Sequence, residues 1–272
     1  MDTAEAIGWQ AGTAARAVAR SRALRRLARI GLVCRAVLYA LIGVLALRIA
    51  TGSGGREADK TGAVESVAGQ PFGVTLLGLM AVGFAAMALW QASVAGSGGR
   101  GRAERIEAAI RTALYVLILG SILSVLLWGH GESGDQQARD VTANLFDLPA
   151  GQALVALVGL AVVALGGYWI YQGITRTFLE DLWLARMSVR ARSVATRLGT
   201  AGYLARGVVA GLAGGFAVRA TVGYQPGQAK GIDATLRALA ESPGGPWLLT
   251  AVALGLVTFA GYGVCEALWR RV

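Results

Sequence analysis

Long apolar stretches separated by short polar connections run through most of the chain. Four of these stretches carry no charged residue, at 72–90, 112–128, 150–171 and 247–265. A bilayer core of about 30 Å needs roughly 20 apolar residues in a helix. The pattern therefore predicts a transmembrane helix at each of the four positions.

Two further stretches, 36–47 and 207–218, are apolar over a shorter length and end at charged residues on both sides. The flanking residues are all arginine: Arg35, Arg48, Arg206 and Arg219. Long arginine stems let the guanidinium group reach the membrane interface while the backbone stays in the apolar core. We therefore predict that both stretches also span, which gives six transmembrane helices.

The two arginine-flanked stretches are copies of one unit. GLVCRAVLYALIGVLALR starts at Gly31, and GYLARGVVAGLAGGFAVR starts at Gly202. In one register Arg35 pairs with Arg206, and Arg48 pairs with Arg219. A weaker third copy starts near Arg105 and places Arg111 where the first copy has Arg35. The chain is therefore a triplicated unit, and a repeat of this kind has to be recognised before the fold is assigned.

Each repeat contains a short amphipathic segment and then a proline. In the third repeat Ile232, Leu236 and Leu239 recur at helical spacing. Prolines at 71, 149 and 243 mark the starts of the second helices, because proline is tolerated in a first helical turn. The predicted fold class is an all-α integral membrane protein. Its six transmembrane helices form three tandem helical hairpins with pseudo-threefold symmetry, joined by short interfacial helices on the outer surface.

Charge gives the predicted orientation and changes the interpretation of the composition. The chain is 55% hydrophobic and 15% charged, with a net charge of +10. One side of the predicted membrane holds most of the arginines, whereas the other side holds only Arg56, Lys60, Arg139, Lys230 and Arg237. The positive-inside rule then places both termini in the cytoplasm. The positive charge is a topology signal and does not indicate nucleic-acid binding, since no reading module accompanies it.

Five segments follow from this division. We predict a basic cytoplasmic N-terminal segment at 1–28, repeat 1 at 29–95, repeat 2 at 105–172, a basic cytoplasmic linker at 173–196 and repeat 3 at 197–272. The N-terminal segment is interpreted as a basic helix on the inner membrane surface, with a partner-binding tail as the alternative.

Four phrases carry a resemblance to a known family. They are ADKTGAVESVAGQPFG, YQGITRTFLEDL, QPGQAKGIDATLRALA and EALWRRV, starting at Ala58, Tyr171, Gln225 and Glu266. In these phrases the chain resembles the DUF1206 family, uncharacterised bacterial membrane proteins that are common in actinobacteria and are built from three tandem two-helix repeats. The resemblance covers nearly all of 26–272. It implies the six-span fold and a location in the bacterial plasma membrane, and it transfers no activity.

The repeated arginines are the candidate site. Each repeat has an even number of spans, so the copies share one orientation about an axis along the membrane normal. If the first helix of each repeat faces this axis, Arg35, Arg111 and Arg206 form a cationic ring near the cytoplasmic side. Arg48 and Arg219 then form a partial ring near the outer side. Guanidinium groups bind phosphate and carboxylate groups in a bidentate fashion, so the ring is a candidate site for an anionic solute or lipid headgroup.

Two structural alternatives stand beside this hypothesis. Glu266, at the inner end of the last span, could pair with one member of the ring. Arginines close to the interface also commonly fix only the depth of a helix in the membrane. A structural interpretation also applies to three glycines that recur every four residues, a spacing that is typical of a helix-packing face: Gly207, Gly211 and Gly215.

The sequence shows no enzyme signature. His130 is the only histidine, so a multi-histidine site within the chain is excluded, and we expect no metal and no cofactor. We expect a non-enzymatic protein that binds or transports an anionic solute or lipid headgroup, with the lipid bilayer as its main partner. The alternative is an envelope scaffold that docks partner proteins and uses its arginines only structurally. Oligomeric state and protein partners stay open.

Overall fold

The computed structural model describes residues 22–53, 57–69, 73–96, 102–129, 133–222 and 225–270. The nine helices of these residues are α1 (Arg22–Ala50), α2 (Lys60–Ala68), α3 (Gly73–Ala95), α4 (Arg102–Trp128), α5 (Gly134–Phe146), α6 (Gly151–Thr175), α7 (Val189–Val222), α8 (Ile232–Ala240) and α9 (Gly245–Trp269). Six of them, α1, α3, α4, α6, α7 and α9, are long and apolar enough to cross a membrane. The predicted fold class is confirmed, and the chain is a multi-pass membrane protein. His130 and residues 1–21 of the basic N-terminal segment lie outside the described residues.

The two arginine-flanked spans are longer than their apolar runs. Helix α7 has 34 residues, and at 1.5 Å per residue it is about 51 Å long. It begins at Val189, inside the segment predicted as a linker, where alanine and arginine favour helix. Short 3-10 turns at Thr177–Asp181 and Leu184–Arg186 occupy the rest of that segment. Arg35 and Arg206 therefore lie inside continuous helices and not at their ends.

The three short amphipathic segments form the connecting helices α2, α5 and α8, as the spacing predicts. Asp59 is the N-cap of α2, and its side chain accepts a hydrogen bond from Gly62 N. Helix α2 is sunk into the bundle, with Val64 and Ala63 fully buried, instead of lying on its surface. Small residues such as Gly62 make this insertion possible, because a Cβ there would clash with the carbonyl oxygen of Glu57.

Three aspartates link the connecting helices in a closed cycle. Each carboxylate accepts a hydrogen bond from a backbone N–H at or near the start of the next connecting helix: Asp59 from Gly134 at 2.8 Å, Asp135 from Ala234 at 2.9 Å and Asp233 from Ala58 at 2.7 Å. Every repeat donates once and accepts once. The cycle therefore ties the three repeats together at this end of the bundle.

The carboxylates of this cycle are close enough to repel one another. Burial raises the pKa of Asp135, and the charges of Asp233 and Asp59 raise it further. The pKa of Glu57 is raised by burial and by the same group of acids. Arg237 offsets part of the repulsion, since its Nε donates to Asp233 Oδ2 at 2.7 Å.

Each of the six spans packs against one or two neighbouring spans, in a linear order. Helix α1 packs against α3 and α9, α3 packs against α4, and α9 packs against α7, which packs against α6. The order is thus α4–α3–α1–α9–α7–α6. The backbones of α4 and α6, the two spans of the second repeat, are described over their full length, and these two helices are not among the pairs of spans in extensive contact. The second hairpin is therefore open, whereas the first and third are closed.

Glycines bring α6 and α7 into close contact, with one correction to the predicted face. A Cβ at Gly207 would lie 2.6 Å from Gly166 O, and a Cβ at Gly166 would lie 2.7 Å from Gly211 N. Gly211 offers only its backbone to this contact, since a Cβ there would meet nothing within 4 Å. Gly215 is exposed, and a Cβ there would also meet nothing within 4 Å. Gly214 takes its place, because a Cβ there would lie 2.7 Å from the backbone of α6. A contact that recurs after two helical turns repeats at about seven residues, so the predicted spacing of four was wrong at Gly215.

Candidate functional site

A buried carboxylate, Glu266, joins the first and last spans. Its Oε2 accepts a hydrogen bond from Arg35 Nη2 on α1, and its Oε1 accepts one from Arg270 Nη1 at 2.9 Å. Glu266 is 2% exposed and Arg270 is 5% exposed. Both carboxylate oxygens are therefore engaged by guanidinium groups, which is the condition under which a buried charge is tolerated.

The chain of charges continues into the linker. Arg270 Nη2 lies 3.3 Å from Asp181 Oδ2 in the 3-10 turn after α6. Backbone pairing holds the two segments together, since Trp183 N donates to Trp269 O at 2.8 Å. Arg35, Glu266, Arg270 and Asp181 thus alternate in charge from the first span to the linker. We call these four residues, together with Arg111 and Arg206, the inner cluster.

Arg35 also contacts the second repeat. Its Nη1 donates to the hydroxyl oxygen of Tyr115 on α4, at a long 3.4 Å. Tyr115 is buried, and its ring lies 6.1 Å from that of Phe84. Arg35 of the first repeat therefore meets Tyr115 of the second and Glu266 of the third.

Arg206, the counterpart of Arg35 in the third repeat, is held by aromatic rings. Its Cζ lies 4.0 Å from the ring centre of Trp169, 4.4 Å from Phe259, 5.2 Å from Tyr39 and 5.9 Å from Tyr203. Cation–π contacts of this kind contribute about 2 kcal/mol when they are desolvated. The Nε atom of Arg206 is buried and has no hydrogen-bond partner among the described residues.

Arg111, the third repeated arginine, lines a cavity of about 350 Å³. The polar part of its lining is Gln91, Arg111, Tyr168, Tyr171, Gln172, Thr177, Glu180, Asp181 and Arg270. These residues come from α3, α4, α6, the linker and the end of α9. The volume lies within the range of small-ligand sites, which starts at about 300 Å³. Gln91 is 3% exposed, so a buried amide faces the cavity from a span.

The structure brings part of the predicted arginine ring together. Arg35 and Arg270 bond to Glu266, and Arg111 and Arg206 are close enough to act on its charge. The predicted pairing of Glu266 with a ring member is thus observed. The three repeated arginines have different surroundings: a carboxylate for Arg35, aromatic rings for Arg206 and a cavity for Arg111.

The outer pair, Arg48 and Arg219, lies elsewhere. Arg48 is in the last turn of α1 and Arg219 is in the last turn of α7, and both are exposed. These positions are far along the helices from Arg35 and Arg206, since thirteen residues correspond to about 20 Å. Neither residue belongs to the inner cluster.

Sequence reasoning missed most of the residues around the repeated arginines, among them Arg270, Asp181 and Tyr115. Arg270 follows Glu266 by four positions, a spacing at which oppositely charged side chains on a helix meet, so the terminal phrase EALWRRV carries a usable signal. Asp181 lies in the phrase YQGITRTFLEDL, but nothing in its spacing indicates a contact with the last helix. Tyr115 lies four positions after Arg111, and nothing in this spacing indicates a contact with the first span.

Comparison with known proteins adds the family and leaves the activity open. The profile described as Domain of Unknown Function (DUF1206) matches residues 30–98, 106–176 and 201–270. An uncharacterized protein of Bacillus subtilis (strain 168), YxxB, is 25% identical to the chain over 256 residues, which is 92% of each protein. No solved structure matches the chain.

Proposed function

The chain belongs to the DUF1206 family, and we propose that it is a non-enzymatic membrane protein that binds an anionic, phosphate-bearing group in the cavity beside its inner cluster. The observation that carries this proposal is the presence of two guanidinium groups, Arg111 and Arg270, in the lining of one cavity of about 350 Å³. Guanidinium groups match phosphate oxygens in charge and in hydrogen-bond geometry.

The charge balance of the inner cluster favours an anion. Four arginines face three carboxylates, Glu266, Asp181 and Glu180, which also lines the cavity, so one positive charge is in excess. Excess charge in a low-dielectric site attracts a counter-charge more strongly than the same charge in water. A bound anion would offset it.

The arginines of the inner cluster have two different roles in this proposal. Arg35 is engaged by Glu266 and Tyr115, and Arg206 is enclosed by four aromatic rings, so these two stabilise the bundle. Arg111 and Arg270 are the two that line the cavity. The proposed site is therefore narrower than the predicted ring and is centred on Arg111.

The cavity is proposed to open near the cytoplasmic side of the plasma membrane. The distribution of arginines along the sequence supports this orientation by the positive-inside rule. Trp90, Tyr168 and Tyr171 line the cavity, and aromatic residues of this kind prefer the membrane interface. A bound group would thus lie at headgroup depth.

Binding without conversion is the chemistry that this lining supports. Its described residues are arginine, glutamine, aspartate, glutamate, threonine and aromatic or apolar residues, and none is a histidine or a cysteine. The carboxylate of Asp181 is engaged by Arg270, which opposes its use as a general base.

Native mass spectrometry of the detergent-purified protein tests the proposal. We expect a phosphate-bearing molecule to remain bound to the wild type and to be lost from Arg111→Gln. Arg105→Gln is the matched control, because Arg105 is exposed on the same helix and is not in the cavity lining. If the folded Arg111→Gln variant keeps the molecule as well as the control does, the proposed site is wrong.

An envelope scaffold is the second candidate function. The contacts that already engage Arg35 and Arg206 favour it, since Glu266 pairs with Arg35 and aromatic rings surround Arg206. The Nε atom of each arginine is nevertheless buried without a hydrogen-bond partner among the described residues. Under this alternative, wild type and Arg111→Gln carry only bulk lipid, and the variants differ only in stability.

A further inference from the structure

The two spans of the second repeat face each other across open space. Helix α4 contributes Ala108 and Arg111 to the cavity lining, and α6 contributes Tyr168, Tyr171 and Gln172. The same helices do not pack together along their length. The cavity is therefore the polar end of a gap between α4 and α6.

Helix α4 packs against α3, and α6 packs against α7, each through a narrow stripe of buried residues. Helix α4 buries Ala108, Tyr115 and Ile122, which recur every seven residues, and α6 buries Gly159 and Gly166 at the same spacing. The rest of both helices is largely exposed and apolar: Leu117 and Leu123 on α4, and Leu157 and Leu160 on α6. A molecule in the gap would thus meet apolar side chains toward the membrane centre and polar side chains at the end that holds the cavity.

The polar end presents both signs of charge. Arg111 and Arg270 line one cavity together with Glu180 and Asp181. Glu180 is exposed and Asp181 is half-buried, so both can approach a positive group. A headgroup of purely negative charge would be attracted by the arginines and repelled by the two acids. A headgroup that carries a phosphate and an ammonium would be matched at both places.

We infer that the cavity takes the headgroup of a zwitterionic phospholipid with a primary ammonium group, which enters sideways between α4 and α6. The phosphate lies against Arg111 and Arg270, and the ammonium lies against Glu180 and Asp181. Gln91 and Gln172 supply amide groups to the remaining oxygens, and the acyl chains lie in the gap. This inference rests on the proposed function, since it names the source of the phosphate.

Lipid competition in nanodiscs tests the inference with the full chain. The discs contain phosphatidylethanolamine, phosphatidylglycerol and phosphatidylcholine in equal amounts, and native mass spectrometry counts the lipids that stay on the protein. We expect phosphatidylethanolamine to be enriched about tenfold over the other two, which is the ratio that one lost charge-assisted hydrogen bond produces. Phosphatidylcholine is the informative competitor, because its methylated ammonium cannot donate hydrogen bonds to the acids.

Variants of the two acids test recognition of the ammonium separately from binding of the phosphate. Glu180→Gln is the primary variant because Glu180 lies at the exposed rim, and Glu180→Gln with Asp181→Asn follows. Both are expected to lose the preference for phosphatidylethanolamine and to keep phospholipid bound. Glu241→Gln, in the loop after α8, is the control and should leave the preference unchanged. Equal retention of all three lipids by the wild type, or a preference that survives both acid variants, overturns the inference while the proposed phosphate site stands.

Competition with soluble compounds distinguishes a bound lipid from a bound free solute. Glycerophosphoethanolamine has the same headgroup without acyl chains, and inorganic phosphate has neither chains nor ammonium. We expect neither to displace bound phosphatidylethanolamine. Displacement by either compound contradicts lateral entry of a lipid, and unchanged retention of every lipid in Arg111→Gln contradicts the proposed function itself.

Discussion

Glu266 on α9 accepts a hydrogen bond from Arg35 on α1, although 231 positions separate the two residues in the chain. The pair closes the contact between the first and the last span, and Arg270 binds the other oxygen of the same carboxylate. Because the pair is buried, removal of one partner leaves an uncompensated charge in a low-dielectric surround.

Glu266→Gln should therefore destabilise the protein strongly. We expect a loss of about 3–5 kcal/mol in the free energy of unfolding in detergent, since Arg35 and Arg270 both lose their carboxylate. Arg35→Gln with Glu266→Gln should cost less than the sum of the two single changes, because the Arg35–Glu266 interaction is lost only once and Arg35 no longer leaves a buried charge. Arg270 still loses Glu266 in the double variant and keeps only Asp181 as a carboxylate partner. Strictly additive effects would show that the two side chains do not interact.

Arg206→Gln should cost about 2 kcal/mol, the value of a desolvated cation–π contact. Arg206→Lys should lose less, because the ammonium keeps the charge beside Trp169. Arg219→Gln is the matched control on the same helix, and we expect it to stay within about 0.5 kcal/mol because Arg219 is exposed. Thermal unfolding of the three variants measures this, and equal shifts for Arg206→Gln and Arg219→Gln would contradict the aromatic enclosure.

Two adjacent glycines on α6 should respond in opposite directions to alanine. A Cβ at Gly166 would lie 2.7 Å from Gly207 O and from Gly211 N, so Gly166→Ala must push α6 away from α7 and should cost about 1–3 kcal/mol. A Cβ at Gly167 would meet nothing within 4 Å, so Gly167→Ala should be neutral or stabilise by up to about 1 kcal/mol through helix propensity. Thermal unfolding of both variants checks the helix contact. A larger loss of stability in Gly167→Ala than in Gly166→Ala would contradict the assignment of the contact face to Gly166.

The carboxylate cycle predicts a pH dependence of stability. Burial and neighbouring acids raise the pKa of Asp135 above its ordinary value, so the folded protein binds the proton more tightly than the unfolded chain does. Stability should therefore fall as the pH rises from about 4 through the raised pKa. Asp135→Asn keeps an acceptor for Ala234 N and removes the charge, so this part of the pH dependence should disappear. Unfolding curves of both proteins from pH 4 to 8 measure it, and parallel curves would refute the assignment to Asp135.

The six spans and the three repeats were predictable from sequence because hydropathy and register are local properties. The same register predicted that Arg35, Arg111 and Arg206 lie at one end of the bundle, and Arg48 and Arg219 at the other. The surroundings of each arginine were not predictable. Equivalent positions meet Glu266 in one repeat and Trp169 in another, because neighbours across a helix interface depend on tertiary packing.

The open second hairpin was also beyond sequence reasoning. In a membrane protein, residues that face lipid and residues that face another helix are equally apolar, so the pattern on α4 and α6 does not tell them apart. Glycine spacing helps only partly: it predicted a packing face at Gly207, Gly211 and Gly215 without indicating the partner helix, and it did not distinguish Gly215 from Gly214. The depth of α2 in the bundle depends likewise on contacts with other repeats.

A crystal structure of the wild-type protein grown in a lipid mesophase that contains phosphatidylethanolamine would show whether a lipid occupies the cavity. We expect electron density for a phosphate within hydrogen-bond distance of Arg111 and Arg270, with an acyl chain between α4 and α6. Closely packed α4 and α6 with no cavity between Arg111 and Arg270 would contradict this expectation.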